Sequence, residues 1–342
     1  MTYGDPCLST CQPAISVIVP VYNVDTYVAN CIRSLLMQEN APTYEIILVN
    51  DGSTDNSKAI CEVLQQTTPA IIRLFNHEFN QGLSIARNTG LAQVRGEYFT
   101  FVDADDLIPP SALGDLYAAA CEYNADIVKG NNWIFSKEQR YPANYNTKRT
   151  RIFHSDKILI AFYEHQLMRG HTWGKLFRTS VFVDIPNQPG VAMAQDTLYC
   201  AEMFAKANTL VVIPRPVYEY RLRAGSATGR KYETKAYLWW LYSIEQAGRF
   251  ARTPKQKRRH KQLQMRTLIQ ISKEARQLNN LALGPVVNEV HQHQARWNLL
   301  NLWQVARHGL GVRWILHFIQ FAFILARLER RLEKPVRFSN AS

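Results

Sequence analysis

Between Ile15 and Lys129, short β-branched runs alternate with stretches of helical periodicity, and most runs stop at a turn signal. Ile15 to Val19 reads as a buried strand ended by Pro20, and Val28, Ile32, Leu35 and Leu36 then recur at helical spacing. Glu45 to Val49 reads as a second strand that stops at Asn50-Asp51-Gly52, and Asp55 is placed to cap the helix through Cys61 and Leu64. A strand over 71–75, a helix over 83–94, a strand over 97–102, a helix over 111–123 and a short strand over 126–129 continue the pattern. Such alternation predicts an α/β fold with a mostly parallel sheet and helices on both faces. Ligands of these sheets bind beyond the carboxyl ends of the strands.

The polar clusters fall at those ends. Asn50-Asp51-Gly52-Ser53-Thr54-Asp55 follows the second strand; Gly52 permits a tight turn, and Asp51 can accept hydrogen bonds from a base or ribose. Loops of this composition also serve simply to cap helices. Asp103-Ala104-Asp105-Asp106 follows the fourth strand, with three mutually repelling carboxylates in four residues. Hard divalent ions take carboxylate and phosphate oxygens together, so the cluster suits Mg²⁺ or Mn²⁺ bridging protein and diphosphate. A solvated turn with Asp106 as a helix cap is the plainer alternative. Gln195-Asp196 is a third acidic site, set among Ala192, Met193, Ala194, Leu198 and Tyr199. A carboxylate in apolar surroundings suits a general base; a helix cap is again the plainer role.

Asn131 to Thr150 reads as a loop or hairpin insertion, and helices and short strands return to about Arg223. From Lys231 the chain is helical and basic, with seven Lys or Arg and no acid between Arg249 and Lys261. The expected division is a leader over 1–14, a catalytic domain over 15–230 (halves 15–130 and 131–230) and a helical basic region over 231–342. The 40 Lys and Arg against 28 Asp and Glu, net +12, favour anionic partners without choosing among them. In the segment from Arg313 to Arg331 the polar residues Arg313, His317, Gln320, Arg327 and Arg331 line one narrow helical stripe. A span needs about 20 apolar residues. The segment therefore suits a helix lying in a membrane surface, or one packed on the protein. The cysteines are scattered and the first residues carry no apolar run, so a cytoplasmic protein, peripheral on the inner face of the inner membrane, is expected.

Four segments occur in order and in register: Ile15-Ser-Val-Ile-Val-Pro-Val-Tyr-Asn23, Val49-Asn-Asp-Gly-Ser-Thr-Asp55, Asn80-Gln-Gly-Leu-Ser-Ile-Ala-Arg-Asn88 and Phe101-Val-Asp-Ala-Asp-Asp106. Together they resemble the signature of glycosyltransferase family 2, whose members have a GT-A fold, a Rossmann-like mixed sheet flanked by helices. The resemblance covers roughly the first two thirds of the chain and fades after Thr228. It implies that Pro20, Val21, Tyr22 and Asn23 border the nucleotide base and that Asp51 binds that base, usually uracil. It further implies that Gly82 and Arg87 line the nucleotide pocket, that Asp103 and Ala104 sit at the ribose or sugar, and that Asp105 contacts Mg²⁺ or Mn²⁺. Asp196 matches the Asp of a later Glu-Asp pair, taken as the base that deprotonates the acceptor hydroxyl; here Gln195 replaces the Glu. His171-Thr-Trp-Gly-Lys-Leu-Phe-Arg178 resembles an acceptor-side segment, and Tyr218-Glu-Tyr-Arg-Leu-Arg-Ala-Gly-Ser226 resembles one whose Arg221, Arg223 or Ser226 reaches the diphosphate.

The expectation is an inverting transfer of a hexose from a UDP-sugar to a glycan or lipid-linked saccharide. The setting would be lipopolysaccharide core, O-antigen or capsule synthesis, with no nucleic-acid partner. A nucleotidyltransferase that makes sugar nucleotides is the nearest enzymatic alternative. A nucleic-acid-binding protein would account for the charge, but no reading module is present. A haloacid-dehalogenase-like phosphatase fits poorly because Leu107 stands where Thr or Val is expected.

Overall fold

The computed structural model describes residues 12–164, 170–190, 194–223 and 234–277. The chain divides into two compact units, Met1–Arg230 and Lys231–Ser342. Among the described residues the first holds nine strands in one sheet, ordered β3-β2-β1-β4-β8-β5-β9-β7, with β6 paired to β5. In sequence the elements begin β1 (Ile15–Val21), α1 (Asp25–Leu36), β2 (Tyr44–Asn50), α2 (Ser57–Thr67) and β3 (Ile72–Asn76). They continue α3 (Leu83–Leu91), β4 (Tyr98–Phe101), α4 (Ala112–Glu122), β5 (Ile127–Phe135), β6 (Arg140–Pro142) and β7 (Arg151–His154). The last are α5 (Asp156–Glu164), β8 (Lys175–Arg178), α6 (Thr179–Phe182), α7 (Gln195–Lys206) and β9 (Thr209–Arg221).

The amino-terminal half follows the alternation read from the sequence. β1 pairs in parallel with β2 and with β4, and β2 in parallel with β3. A strand covered on both faces has no solvent side, which is why all seven residues of β1 are buried and why it reads as a continuous apolar run. α3 packs tightly beneath the sheet through Gly90, where a Cβ would lie 2.4 Å from Cγ2 of Ile18.

The carboxyl-terminal half departs from a mostly parallel sheet. β8 runs antiparallel to both β4 and β5, and β7 antiparallel to β9, whereas β5 and β9 are parallel. The sheet is therefore mixed, with its change of direction at the β4–β8 edge. The irregular stretch after β5 is a hairpin, closed by the Ser136 N–H donating to the Gln139 carbonyl and pairing β6 with β5. The polar loops that follow β1, β2 and β4 all open at one end of the parallel half.

In the second unit, α8 (Thr234–Ala247) and α9 (Pro254–Gln277) pack together; His260 donates from Nε2 to the Ile244 carbonyl at 2.6 Å. Gly248 lies against the His260 ring. Among the described residues no helix is long and apolar enough to cross a membrane. The segment from Arg313 to Arg331 lies outside the described residues.

The reversal at β8 creates an unusual pair. Lys129 and Lys175 are direct cross-strand partners, both buried. Their ammonium groups donate to the backbone carbonyls of Gly130 and His171. Burial, reinforced by Lys175, brings Lys129 down to about 7, whereas an unfolded lysine titrates near ~10.4. Between those values the unfolded chain binds a proton that the folded chain does not, so this group makes stability rise as pH increases through that window. Lys129→Met is expected to raise the melting temperature at pH 7 and to flatten the rise between pH 7 and 10. A variant whose melting temperature tracks wild type at every pH would contradict this.

Candidate active site

The crevice begins where β1 ends. Pro20 and Val21 are still in the strand and buried, so they fix the strand's end rather than offering a surface to a ligand. Tyr22 is 45% exposed at the crevice rim. Asn23 adopts a left-handed φ of 50°, a region that Asn enters more readily than most residues. Its Oδ1 accepts from the Thr54 N–H at 2.8 Å, which ties the loop after β1 to the loop after β2. The N-cap of α2 is Asn56, whose side chain makes no capping bond, rather than Asp55; Asp55, one residue earlier, accepts from the Ser57 N–H at 2.9 Å.

Asp51 is almost wholly buried. Its Oδ1 accepts from His77 Nδ1 at 2.7 Å and from the Gln81 N–H at 2.9 Å; its Oδ2 accepts from Asn80 Nδ2 at 3.0 Å and the Gly82 N–H at 2.8 Å. A carboxylate has about four acceptor sites, so these bonds fill it. Asp51 thus shapes the 77–82 loop rather than presenting a vacant acceptor to a base. Gly82, with φ 95°, starts α3, and Gly52 allows the backbone of Phe79 and Asn80 to approach closely. Asn80 was visible within a recognised segment, but His77 carried no sequence signal.

Arg87 is the centre of the site. It points from α3 and is 1% exposed. One guanidinium nitrogen donates to Asp196 Oδ1 and the other to Asp103 Oδ1 at 3.1 Å, while the plane lies over Phe101 at 5.5 Å. The fork geometry of guanidinium suits two carboxylates at once. Asp103 follows β4 and Asp196 sits in the first turn of α7, so Arg87 joins two motifs remote in sequence. Burial raises Asp103 to about 6; Arg87 opposes this, and Asp196 and Asp105 add to it. Ser84 Oγ donates to Gln195 Oε1 at 3.0 Å, so the residue that replaces the Glu is also bound to α3.

The three carboxylates after β4 have different surroundings. Asp106 turns inward and is no exposed cap: its oxygens accept from Tyr218 Oη and the Arg221 N–H, each at 2.7 Å. Burial raises its pKa, with repulsion from Asp103 and Asp105 adding to the effect. Ala104 is buried in the core between them. Asp105 stays partly open, its Oδ2 accepting from Arg223 Nε at 2.6 Å and its carbonyl from Arg221 Nε at 2.7 Å. Arg221 and Arg223 both lie on the Tyr27 ring, at 5.2 and 5.3 Å.

Among the described residues no group of three His, Cys, Asp or Glu side chains could hold a metal by protein ligands alone. One accessible carboxylate fits the donor set of Mg²⁺ or Mn²⁺, which commonly takes one or two carboxylates and completes its shell with phosphate oxygens and water. Asp105, 21% exposed, is the carboxylate the sequence puts forward for that donor set, and Asp103 beside it is open to a similar degree at 26%. Beside Asp103, Trp173 stacks on Tyr218 at 4.5 Å and on His171 at 4.4 Å, a row of rings that no sequence pattern placed together.

Residues 16–185 match the model of Glycosyl transferase family 2. The glycosyltransferase GlyA of Streptococcus pneumoniae serotype 4 is 32% identical over 240 residues, 68% of this chain and 33% of GlyA. The chain thus spans about a third of that relative. Among solved structures, residues 1–349 of S. aureus TarS in complex with UDP-GlcNAc superpose with a TM-score of 0.59 at 22% identity, covering 74% of this chain and 71% of that one. The mannosyltransferase PcManGT of Pyrobaculum calidifontis, in complex with GDP-Man and Mn²⁺, gives 0.54 at 18%, covering 95% and 89%. These likenesses show the expected GT-A arrangement, a mixed sheet flanked by helices.

Removing one partner of a buried ion pair leaves the others uncompensated. Arg87→Met is expected to lower stability by about 2–4 kcal/mol, toward the lower end because both carboxylates keep some solvent contact. Urea denaturation measures this; a change below ~0.5 kcal/mol would contradict the role of Arg87.

Proposed function

Because residues 16–185 belong to glycosyl transferase family 2, we propose that the chain is an inverting glycosyltransferase that moves a hexose from a nucleotide sugar to a glycan hydroxyl. The observation that carries this is the single guanidinium of Arg87 holding Asp103 and Asp196 together beside Asp105. Donor-side and acceptor-side carboxylates thereby share one crevice at the strand ends.

The donor lies along the ends of β1, β2 and β4. Tyr22 offers its exposed ring to the base, the loops fixed by Asn23 and Asp51 set the width of the slot, and Asp103 faces the ribose or sugar. Asp105 would hold Mg²⁺ or Mn²⁺ together with diphosphate oxygens; a bound divalent ion supplies Lewis-acid stabilisation of the leaving group. Arg221, fixed on the rings of Tyr27 and Phe135, adds positive charge on the same side.

Asp196 acts as the base. Arg87 occupies its Oδ1, and among the described residues Oδ2 takes no hydrogen bond. That oxygen receives the proton of the acceptor hydroxyl, whose oxygen attacks the anomeric carbon as the C–O bond to the diphosphate breaks. One displacement inverts the anomeric configuration, so an α-linked donor gives a β-linkage. Arg87 keeps the aspartate aimed.

UDP is the nucleotide we favour; TarS is the solved neighbour in complex with UDP-GlcNAc. The acceptor is assigned to a surface glycan, lipopolysaccharide core, O-antigen or capsule. The basic carboxyl-terminal sequence supports a peripheral site on the cytoplasmic face of the inner membrane. Deleting residues from Gly309 onward is expected to release the protein from anionic vesicles while sparing UDP binding; retained vesicle binding would refute that segment's role. Asp196→Asn is expected to lower transfer by about 10²–10⁴-fold with UDP affinity within about threefold. Near-normal turnover in that variant would remove Asp196 as the base.

A further inference from the structure

Each carboxylate after β4 already has a cationic or hydrogen-bonding partner, and the partners differ in how firmly they are fixed. Arg87 holds Asp103 from the buried core. Tyr218 and the Arg221 N–H fill Asp106. Asp105 is paired with Arg223 across 2.6 Å, both side chains being about a quarter exposed, at 21% and 26%. Arg221 is anchored by the Asp105 carbonyl and two rings, at 5.2 Å from Tyr27 and 4.4 Å from Phe135. Among the described residues Arg223 has one ring, Tyr27, and the carboxylate. It is the partner that can leave.

A divalent ion arriving alone meets this guanidinium's charge at the same carboxylate, and displacing it would strand it without an anion. An ion arriving with a nucleoside diphosphate brings the anion with it. The guanidinium then passes from carboxylate to phosphate, both of which suit its fork of donors. We propose that Arg223 stands in at Asp105 as a resident cation, so that the divalent ion and the nucleoside diphosphate enter together, Arg223 moving from the carboxylate to the diphosphate. This rests on the assignment of Asp105 as the ion's carboxylate. It makes nucleotide and ion binding mutually dependent, a coupling that is reciprocal by linkage.

The test is Mn²⁺ binding to the full chain, read by loss of the free Mn²⁺ paramagnetic resonance signal, with and without UDP and corrected for Mn²⁺ held by free UDP. In wild type, UDP is expected to tighten Mn²⁺ binding by at least tenfold. Arg223→Gln is expected to tighten Mn²⁺ binding about tenfold without UDP and to shrink the gain from UDP. Arg223→Lys, which keeps the charge, is expected to stay close to wild type and serves as the check that the segment still folds. Unchanged Mn²⁺ affinity in Arg223→Gln without UDP would overturn the proposal while leaving the ion site standing. Mn²⁺ binding with UDP that survives Asp105→Asn would instead overturn the ion site itself, and this proposal with it.

Discussion

The arrangement of the crevice depends on one buried guanidinium. Arg87 carries a full charge at 1% exposure, a position costly for any ion unless its partners are fixed in place. Its partners are Asp103 and Asp196, and the Phe101 ring lies against its face. Because one buried guanidinium bonds both carboxylates, the loop after β4 and the start of α7 are held in a defined relation before any ligand arrives. Preorganisation of this kind lets binding energy act on the reacting groups rather than on assembling them.

The sheet makes that relation possible. Three parallel strands end together, and each delivers a polar loop to the same edge. The reversal at β8 then returns the chain so that α7 presents Asp196 toward those loops, and β9 brings Arg221 and Tyr218 back to Asp105 and Asp106. Donor-side chemistry is thus built by local strand–loop–helix units, and acceptor-side chemistry by long-range returns.

That division explains what the sequence revealed. β1, β2 and β4 announced themselves as continuous apolar runs because they are buried on both faces, and their loops carried recognisable polar motifs. Asp51 was recognisable as important, but not as filled: its partners His77 and Asn80 come from the end of β3 and the following loop, and nothing in composition says which of many polar residues will turn toward it. The direction of β8 was equally hidden, since four residues, Lys175 to Arg178, carry no mark of parallel or antiparallel pairing. Hence strand–helix alternation alone suggested a mostly parallel sheet, whereas the family resemblance implied the mixed one observed, and the facing of Lys129 and Lys175 had no mark in the sequence. Arg87 was legible as a pocket residue; that it bridges two carboxylates 93 positions apart follows only from where the fold sets the first turn of α7 beside α3.

The central claim is that one crevice serves both the leaving diphosphate and the attacking hydroxyl. A crystal structure with UDP and Mn²⁺ tests it most directly, because Mn²⁺ is located by its own anomalous scattering. The expected result is an anomalous peak at the Asp105 carboxylate, with the nucleotide along the ends of β1, β2 and β4 and its β-phosphate facing Asp196. A nucleotide bound elsewhere on the chain, or an anomalous peak remote from Asp105 with UDP present, would contradict it.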